Sequence, residues 1–257
     1  MIKKINVTQK DKDILAGIHY DPMKDLVDEP DYTAVLINKP WGYEYLLFKN
    51  RDVAVWILHI SRDFQTSLHC HPNKKTSLTV LEGEVEFNTL HETIRVRPGE
   101  GLLIDKGVFH STRAVSDGGA IIMETETPVY KHDLVRFNDN YGRARQGYEG
   151  KTFHVPLDDW QYPKTHMFHK PNERYNTEKR IGVCSLMVIK CSAPEDLMSI
   201  IRTANVDLVG VLKGELFNSG SPLLRYGDVA ALSELRARPE IRLDGEVELL
   251  LIKNNPI

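Results

Sequence analysis

The sequence predicts an all-β fold, a jelly roll or barrel with a few short helices. Three observations carry that expectation. Short runs rich in β-branched and aliphatic residues recur, at 53–60, 78–87, 93–96, 102–104 and 120–125. Turn residues separate them, as at Glu82-Gly83-Glu84 and Pro98-Gly99-Glu100-Gly101. Long helical periodicity is missing. Many short strands at such spacing mark a sandwich or barrel.

The elements follow in chain order. The first forty residues read as an irregular arm. Residues 11–20 offer one short helix, and Pro22, Pro30 and Pro40 punctuate the rest. Strand texture begins at Tyr43, and within it lies a repeat. Val80-Leu81-Glu82-Gly83-Glu84-Val85 is echoed by Val211-Leu212-Lys213-Gly214-Glu215-Leu216. Arg97-Pro98-Gly99-Glu100-Gly101 is echoed by Arg225-Tyr226-Gly227-Asp228-Val229, and Ala120-Ile121-Ile122-Met123-Glu124 by Val247-Glu248-Leu249-Leu250-Leu251. The order is kept, at offsets of about 130 residues (Gly83 to Gly214, Gly99 to Gly227). Three echoes in register predict two related β-units. The stretch 141–180 between them is rich in Tyr, His, Pro, Asn and Lys. It reads as a connection wrapped over the surface, because it carries Phe153, Trp160 and Phe168.

A chain of 257 residues can bury a substantial core without disulfides or structural metals. Its 33 Lys+Arg against 36 Asp+Glu give a formal charge of −3, which argues against a nucleic-acid partner. No apolar run approaches the ~20 residues of a membrane span. The N-terminus runs straight into charged residues, without the apolar core of a signal peptide. Cys70, Cys184 and Cys191 are an odd set without a CxxC, which fits a reducing compartment. The expectation is a soluble, cytoplasmic protein with neither nucleic acid nor membrane as partner.

The richest chemistry lies in Ser67-Leu68-His69-Cys70-His71-Pro72. Alternate side chains of a strand share a face, so His69 and His71 point one way and Cys70 points toward the core. Two imidazoles on one strand face are a usual beginning of a metal site, and His110 offers a third. Each histidine alone would read as a hydrogen-bonded polar residue. Their frame gives them weight.

That frame, His69-x-His71, then Gly83, then Gly99 with Asp105-x-Gly107-x-x-His110, resembles the two signature motifs of the cupin superfamily. The resemblance implies a small β-barrel whose mouth binds a divalent metal. Two histidines and a glutamate come from the first motif and a histidine from the second. Residues 40–137 carry the resemblance well, and 180–253 carry it as a degenerate second copy. The implied division is an arm at 1–40, a barrel with the metal site at 41–140, a connection at 141–180 and a second barrel at 181–257. No His-x-His precedes Gly214, and Arg236 and Arg238 follow Asp228, so the second barrel reads as structural.

Two departures stand out. Asp105 replaces the usual proline of the second motif, and Thr76 stands at the glutamate position, within Lys74-Lys75-Thr76-Ser77. A hydroxyl is a poor ligand beside a carboxylate, and adjacent lysines repel a cation. Three readings stay open: a three-histidine site, a site completed by Glu124 or Glu86, or a site that holds metal weakly or not at all. Zinc is the first expectation for the ion, with iron, manganese and nickel as alternatives.

Further stretches narrow the resemblance. Lys39-Pro40-Trp41-Gly42-Tyr43-Glu44 resembles the opening segment of cupin-type mannose-6-phosphate isomerases. Val129-Tyr130-Lys131-His132-Asp133-Leu134-Val135-Arg136-Phe137-Asn138-Asp139-Asn140-Tyr141-Gly142-Arg143 resembles their closing segment, and His71-Pro72-Asn73-Lys74-Lys75 is similar to a further motif of phosphomannose isomerases. These motifs imply a sugar or sugar phosphate as ligand, within polysaccharide or nucleotide-sugar metabolism. Lys74, Lys75, Lys131, Arg136 and Arg143 are the candidate cations at the pocket rim.

The implied chemistry is a metal-dependent sugar-phosphate isomerisation or epimerisation, of the mannose-6-phosphate isomerase kind, with Glu124, Glu86 or Lys75 as the base. Competing readings are a non-catalytic sugar-binding cupin, a three-histidine Fe(II) oxygenase or lyase, and a metal-free epimerase with a histidine base. Two fused barrels can mimic the dimer that single cupins form, so monomer and homodimer both remain open.

Overall fold

The computed structural model describes residues 1–18, 31–144, 146–168, 174–238 and 240–255. Strands dominate, as the all-β expectation requires, and they form two units, each built from a pair of sheets.

The larger sheet of the first unit runs Ile2–Ile5, Gly101–Ile104, Lys75–Glu82, Ala120–Thr127, Ala54–Ile60, Gly42–Lys49, Val35–Lys39, His154–Pro156. Its smaller sheet runs Val135–Asn138, Leu68–Cys70, His110–Ala114, Val85–Thr89, Thr93–Val96. Strand alternation decides what each face meets. Trp56, Leu58, Ile60, Leu78, Val80 and Ile122 share the core with Val85, Phe87 and Ala114 of the smaller sheet. Their odd-numbered neighbours Val55, Ile57, Leu81 and Met123 lie in a different cluster, packed with Leu186, Val188, Leu212, Leu250 and Ile252 of the second unit. The large sheet is therefore apolar on both faces, which is why residues 53–58 show no polar alternation. Each aliphatic side chain so buried contributes about 1.5–3 kcal/mol.

The second unit has a five-stranded sheet, Glu178–Ile181, Cys184–Cys191, Val247–Asn254, Leu208–Lys213, Val229–Ala231. Its three-stranded sheet runs Ser221–Arg225, Glu215–Asn218, Ile241–Leu243. The echoes seen in the sequence carry matching hydrogen bonds. Gly99 N donates to Val80 O (3.0 Å), and Gly227 N donates to Val211 O (2.8 Å). Likewise Glu100 N donates to Arg97 O and Asp228 N to Arg225 O, both at 2.9 Å. Gly83 and Gly214 turn at φ +72° and +78°, and a Cβ on Gly83 would stand 2.2 Å from Gly119 O. The interior of this unit is filled by Leu216, Leu224, Leu232, Leu235 and Ile241, with the helices Pro194–Thr203 and Leu232–Arg236 packed in.

The predicted N-terminal helix forms over Gln9–Ala16, earlier than residues 11–20. Thr8 and Asp11 make a capping box that starts it. Asp11 then accepts from Phe109 N at 2.9 Å, tying the arm to the strand that begins at His110. Pro22 and Pro30 fall outside the described residues. No helix among the described residues is long and apolar enough to cross a membrane.

Candidate metal centre and its charged cavity

Strand Leu68–Cys70 pairs on one side with His110 and on the other with Val135–Asn138, so His69 lies between His110 and Arg136 in the ladder. Cys70 points the other way, buried against Phe109 and Val135. His69, His71 and His110 each offer a ring nitrogen, and these atoms lie within 4.8 Å of one another.

The other ring nitrogens are tied down. Nδ1 of His69 lies 2.7 Å from Ser67 O, that of His71 2.6 Å from Asp133 O, and that of His110 2.9 Å from Val108 O. A carbonyl only accepts, so each Nδ1 carries the proton and each Nε2 keeps its lone pair. Burial lowers the pKa of all three, to about 4 for His110 and well below the ordinary value for His69 and His71. The imidazoles are neutral, as ligands must be. Nε2 of His71 is buried and has no hydrogen-bond partner among the described residues. This donor set fits a divalent transition-metal ion.

Asp133 sets the geometry of the loop after His71. Its carboxylate accepts from the backbone of Asn73 and Lys74 at 2.8 and 2.7 Å and from Asn73 Nδ2 at 2.9 Å. Thus the His-Pro-Asn-Lys stretch and the closing segment hold each other in place.

Thr76 is buried beside Glu126 in the sheet register, on the face shared with Leu78 and Val80. The carboxylates on that face come from the neighbouring strand. Glu124 Oε1 lies 3.8 Å from His71 Nε2, with its side chain 15% exposed. Burial pushes the Glu124 carboxyl up; Lys131 opposes this and Glu126 adds to it. Glu126 accepts from Lys74 Nζ at 2.6 Å and from Trp56 Nε1 at 2.9 Å.

Around these groups lies a pocket open to solvent on one side. Lys39, Trp41 and Glu44 of the opening segment line it, with Lys131, Arg136 and Arg143 of the closing segment. Gly42 lets that opening segment approach: at φ +144°, a Cβ there would stand 1.9 Å from His59 O. Glu44 meets Lys131 at 3.1 Å, Lys39 at 3.4 Å and the hydroxyl of Tyr148. Burial works against its charge, but Lys131 and Lys39 hold the carboxyl down at about 2. Glu149 pairs with Lys39, Arg136 and Arg143, and its pKa is lowered for the same reason. Lys131 stands 3.6 Å over the Trp56 ring. Burial opposes its charge, yet Glu44, Glu126 and Glu124 raise its pKa.

The structure therefore gathers His69, His71, Glu124, Lys74, Lys131, Arg136 and Arg143 at one cavity, with His110 in the histidine cluster beside it. Glu86 and Lys75 lie elsewhere, which corrects their expectation as bases. Glu86 sits between the buried residues Val85 and Phe87, so its side chain turns outward to Arg95 (3.3 Å) and Arg113 (3.7 Å). Lys75 alternates with Lys74 and pairs with Asp228 of the second unit at 2.6 Å. Sequence reasoning missed Lys39, Glu44, Glu126, Tyr148 and Glu149. Lys39 and Glu44 were inside a recognised motif, and Glu126 follows from Glu124 by strand alternation. Tyr148 and Glu149 lie in the connecting stretch and carried no signal.

Residues 56–126 match the family model described as the cupin domain, so the fold class is the jelly roll of that family. No curated protein matches the chain in sequence. Solved structures are similar over part of it. An RmlC-like cupin from Shewanella frigidimarina is 16% identical, covers 41% of this chain and 93% of its own, with a TM-score of 0.35. KdgF from Halomonas sp. is 15% identical over 36% of this chain and 83% of its own, at 0.34. A sugar phosphate isomerase from a cupin superfamily, from Silicibacter pomeroyi, is 15% identical over 34% and 59%, at 0.32.

Proposed function

We propose that the chain is a metal-dependent sugar isomerase or epimerase, with its active site at the mouth of the first barrel and a structural second barrel. One observation carries the reading: three neutral imidazoles converge near Glu124, beside a cavity whose lining cations all meet carboxylates. A divalent ion held by His69, His71 and His110 supplies a Lewis acid for the oxygens of an open-chain sugar.

Glu124 acts as the base. It takes the proton from the carbon next to the carbonyl and returns it to the adjacent carbon, while a proton passes between the two oxygens. Its raised pKa brings its basicity closer to what carbon acids require. Lys131 stays charged and compensates negative charge that develops near Glu124. Lys39, Arg136 and Arg143, locked by Glu149 and Glu44, keep the cavity wall rigid. A preorganised wall costs no reorganisation during the proton transfer.

The test is proton exchange. The protein, supplied with zinc, manganese, nickel or iron, is incubated with free and phosphorylated aldoses and ketoses in deuterium oxide. Deuterium at the carbon next to the carbonyl, seen by NMR and lost in Glu124→Gln, is the expected outcome. Sugar binding without exchange under any metal would leave a non-catalytic binding module instead.

A further inference from the structure

We infer that the cavity takes an uncharged sugar rather than a phosphorylated one, because every cation that lines it already has a carboxylate partner. The inference rests on the reading of the cavity as a sugar site. Lys74 meets Glu126 at 2.6 Å, Lys131 meets Glu44 at 3.1 Å, and Arg136 meets Glu149 at 2.6 Å. Arg143 meets Asp139 at 2.7 Å and also Glu149, and Lys39 meets Glu149 and Glu44. The acids are deeply enclosed: side-chain exposure is 5% for Glu44, 2% for Glu126 and Glu149, and 0% for Asp139.

A phosphate group entering here would have to draw a cation off its carboxylate. That takes a counter-charge from a buried carboxylate and sets the incoming dianion close to it. Repulsion between them is strong in a weakly polarisable interior. A sugar hydroxyl is different, because it donates and accepts at once. It can bridge a carboxylate oxygen and an ammonium of an intact pair. Trp41, which also lines the cavity, offers an apolar wall to the C–H face of a sugar ring. The rim cations that suggest phosphate recognition in the sequence are thus already engaged with buried carboxylates, in a lattice suited to hydroxyl groups.

Isothermal titration calorimetry tests this on the intact chain with three probes: free aldoses and ketoses, their phosphate esters, and inorganic phosphate. A free sugar should bind at least about tenfold more tightly than its own ester, and inorganic phosphate should give no binding heat. Glu149→Gln, checked for folding by circular dichroism, takes from Arg136 its carboxylate partner while Arg143 keeps Asp139, and should gain inorganic phosphate binding by about tenfold or more. Three results overturn the inference: an ester that binds more tightly than its parent sugar, inorganic phosphate bound by the unaltered chain, or no free sugar bound at all. If Glu149→Gln fails to fold, the unaltered chain still decides the matter. Binding of a free sugar without proton exchange would support the inference while removing the isomerase reading.

Discussion

Oε1 of Glu124 stands 3.8 Å from Nε2 of His71, on the strand that neighbours Thr76. The hydroxyl of Thr76 on one strand and the carboxylate of Glu124 on the next are neighbours in one sheet. Leu78 pairs with Glu124 and Thr76 with Glu126, and all four share the inward face. Either Glu124 completes a coordination sphere or it works as a free base, and these roles separate on substitution.

We expect the base. Glu124→Gln keeps the size of the side chain and removes its proton affinity. Proton exchange should fall by about 10²–10⁴-fold while metal content stays unchanged. Plasma mass spectrometry of the variant, beside the exchange rate, checks both halves. Loss of metal together with activity would make Glu124 a ligand.

The histidines should act as a set. The purified chain should hold about one divalent ion, and His69→Ala/His110→Ala should hold none. Metal analysis of both proteins settles this, and the ion found directs the chemistry. Zinc fits sugar isomerisation, whereas iron with oxygen consumption would favour a three-histidine oxygenase.

Much of this site was legible in the sequence, and the reason is local geometry. His69 and His71 share a face because strand alternation leaves no choice, and the turn glycines at 83, 99, 214 and 227 mark the steps from one sheet to the other in both halves of the repeat. The charge pairing was hidden because it is tertiary. Lys39 and Glu149 are separated by 110 residues, and Lys74 and Glu126 by 52. A lysine's residue type says that it carries charge; only the fold says which acid has taken it. Lys74 therefore read as a rim cation, although its side chain is 1% exposed.

Breaking that pair should be costly. Lys74→Met leaves Glu126 buried with, among the described residues, only the Trp56 indole as hydrogen-bond donor, and should destabilise the chain by about 3–5 kcal/mol. Adding Glu126→Gln removes the orphaned charge while keeping the indole bond, and should recover more than half of the loss. Urea denaturation of the single and double variants measures both. Equal stability of Lys74→Met and the unaltered chain would mean that the pair contributes nothing.

Stability should also fall with acid in two windows. Burial lowers His59, His110 and His166 to about 4, against 6.5 in the unfolded chain. Between those values the unfolded state binds protons that the folded state refuses, so stability rises with pH and is lost as pH falls from 6.5 toward 4. Glu44 acts in the next window. Lys131 and Lys39, against the opposition of burial, hold it at about 2 while its ordinary value is 4.5. Its contribution is present above 4.5 and disappears as pH falls through 2. Melting temperatures of the metal-free chain from pH 7.5 down to 4 should therefore decline well before the carboxylates titrate. His59→Phe keeps a ring to stack on Tyr43, which lies 4.4 Å away, and should flatten that first decline. A melting temperature independent of pH between 7 and 5 would contradict the neutral, buried state of these imidazoles, and with it the readiness of His110 to bind metal.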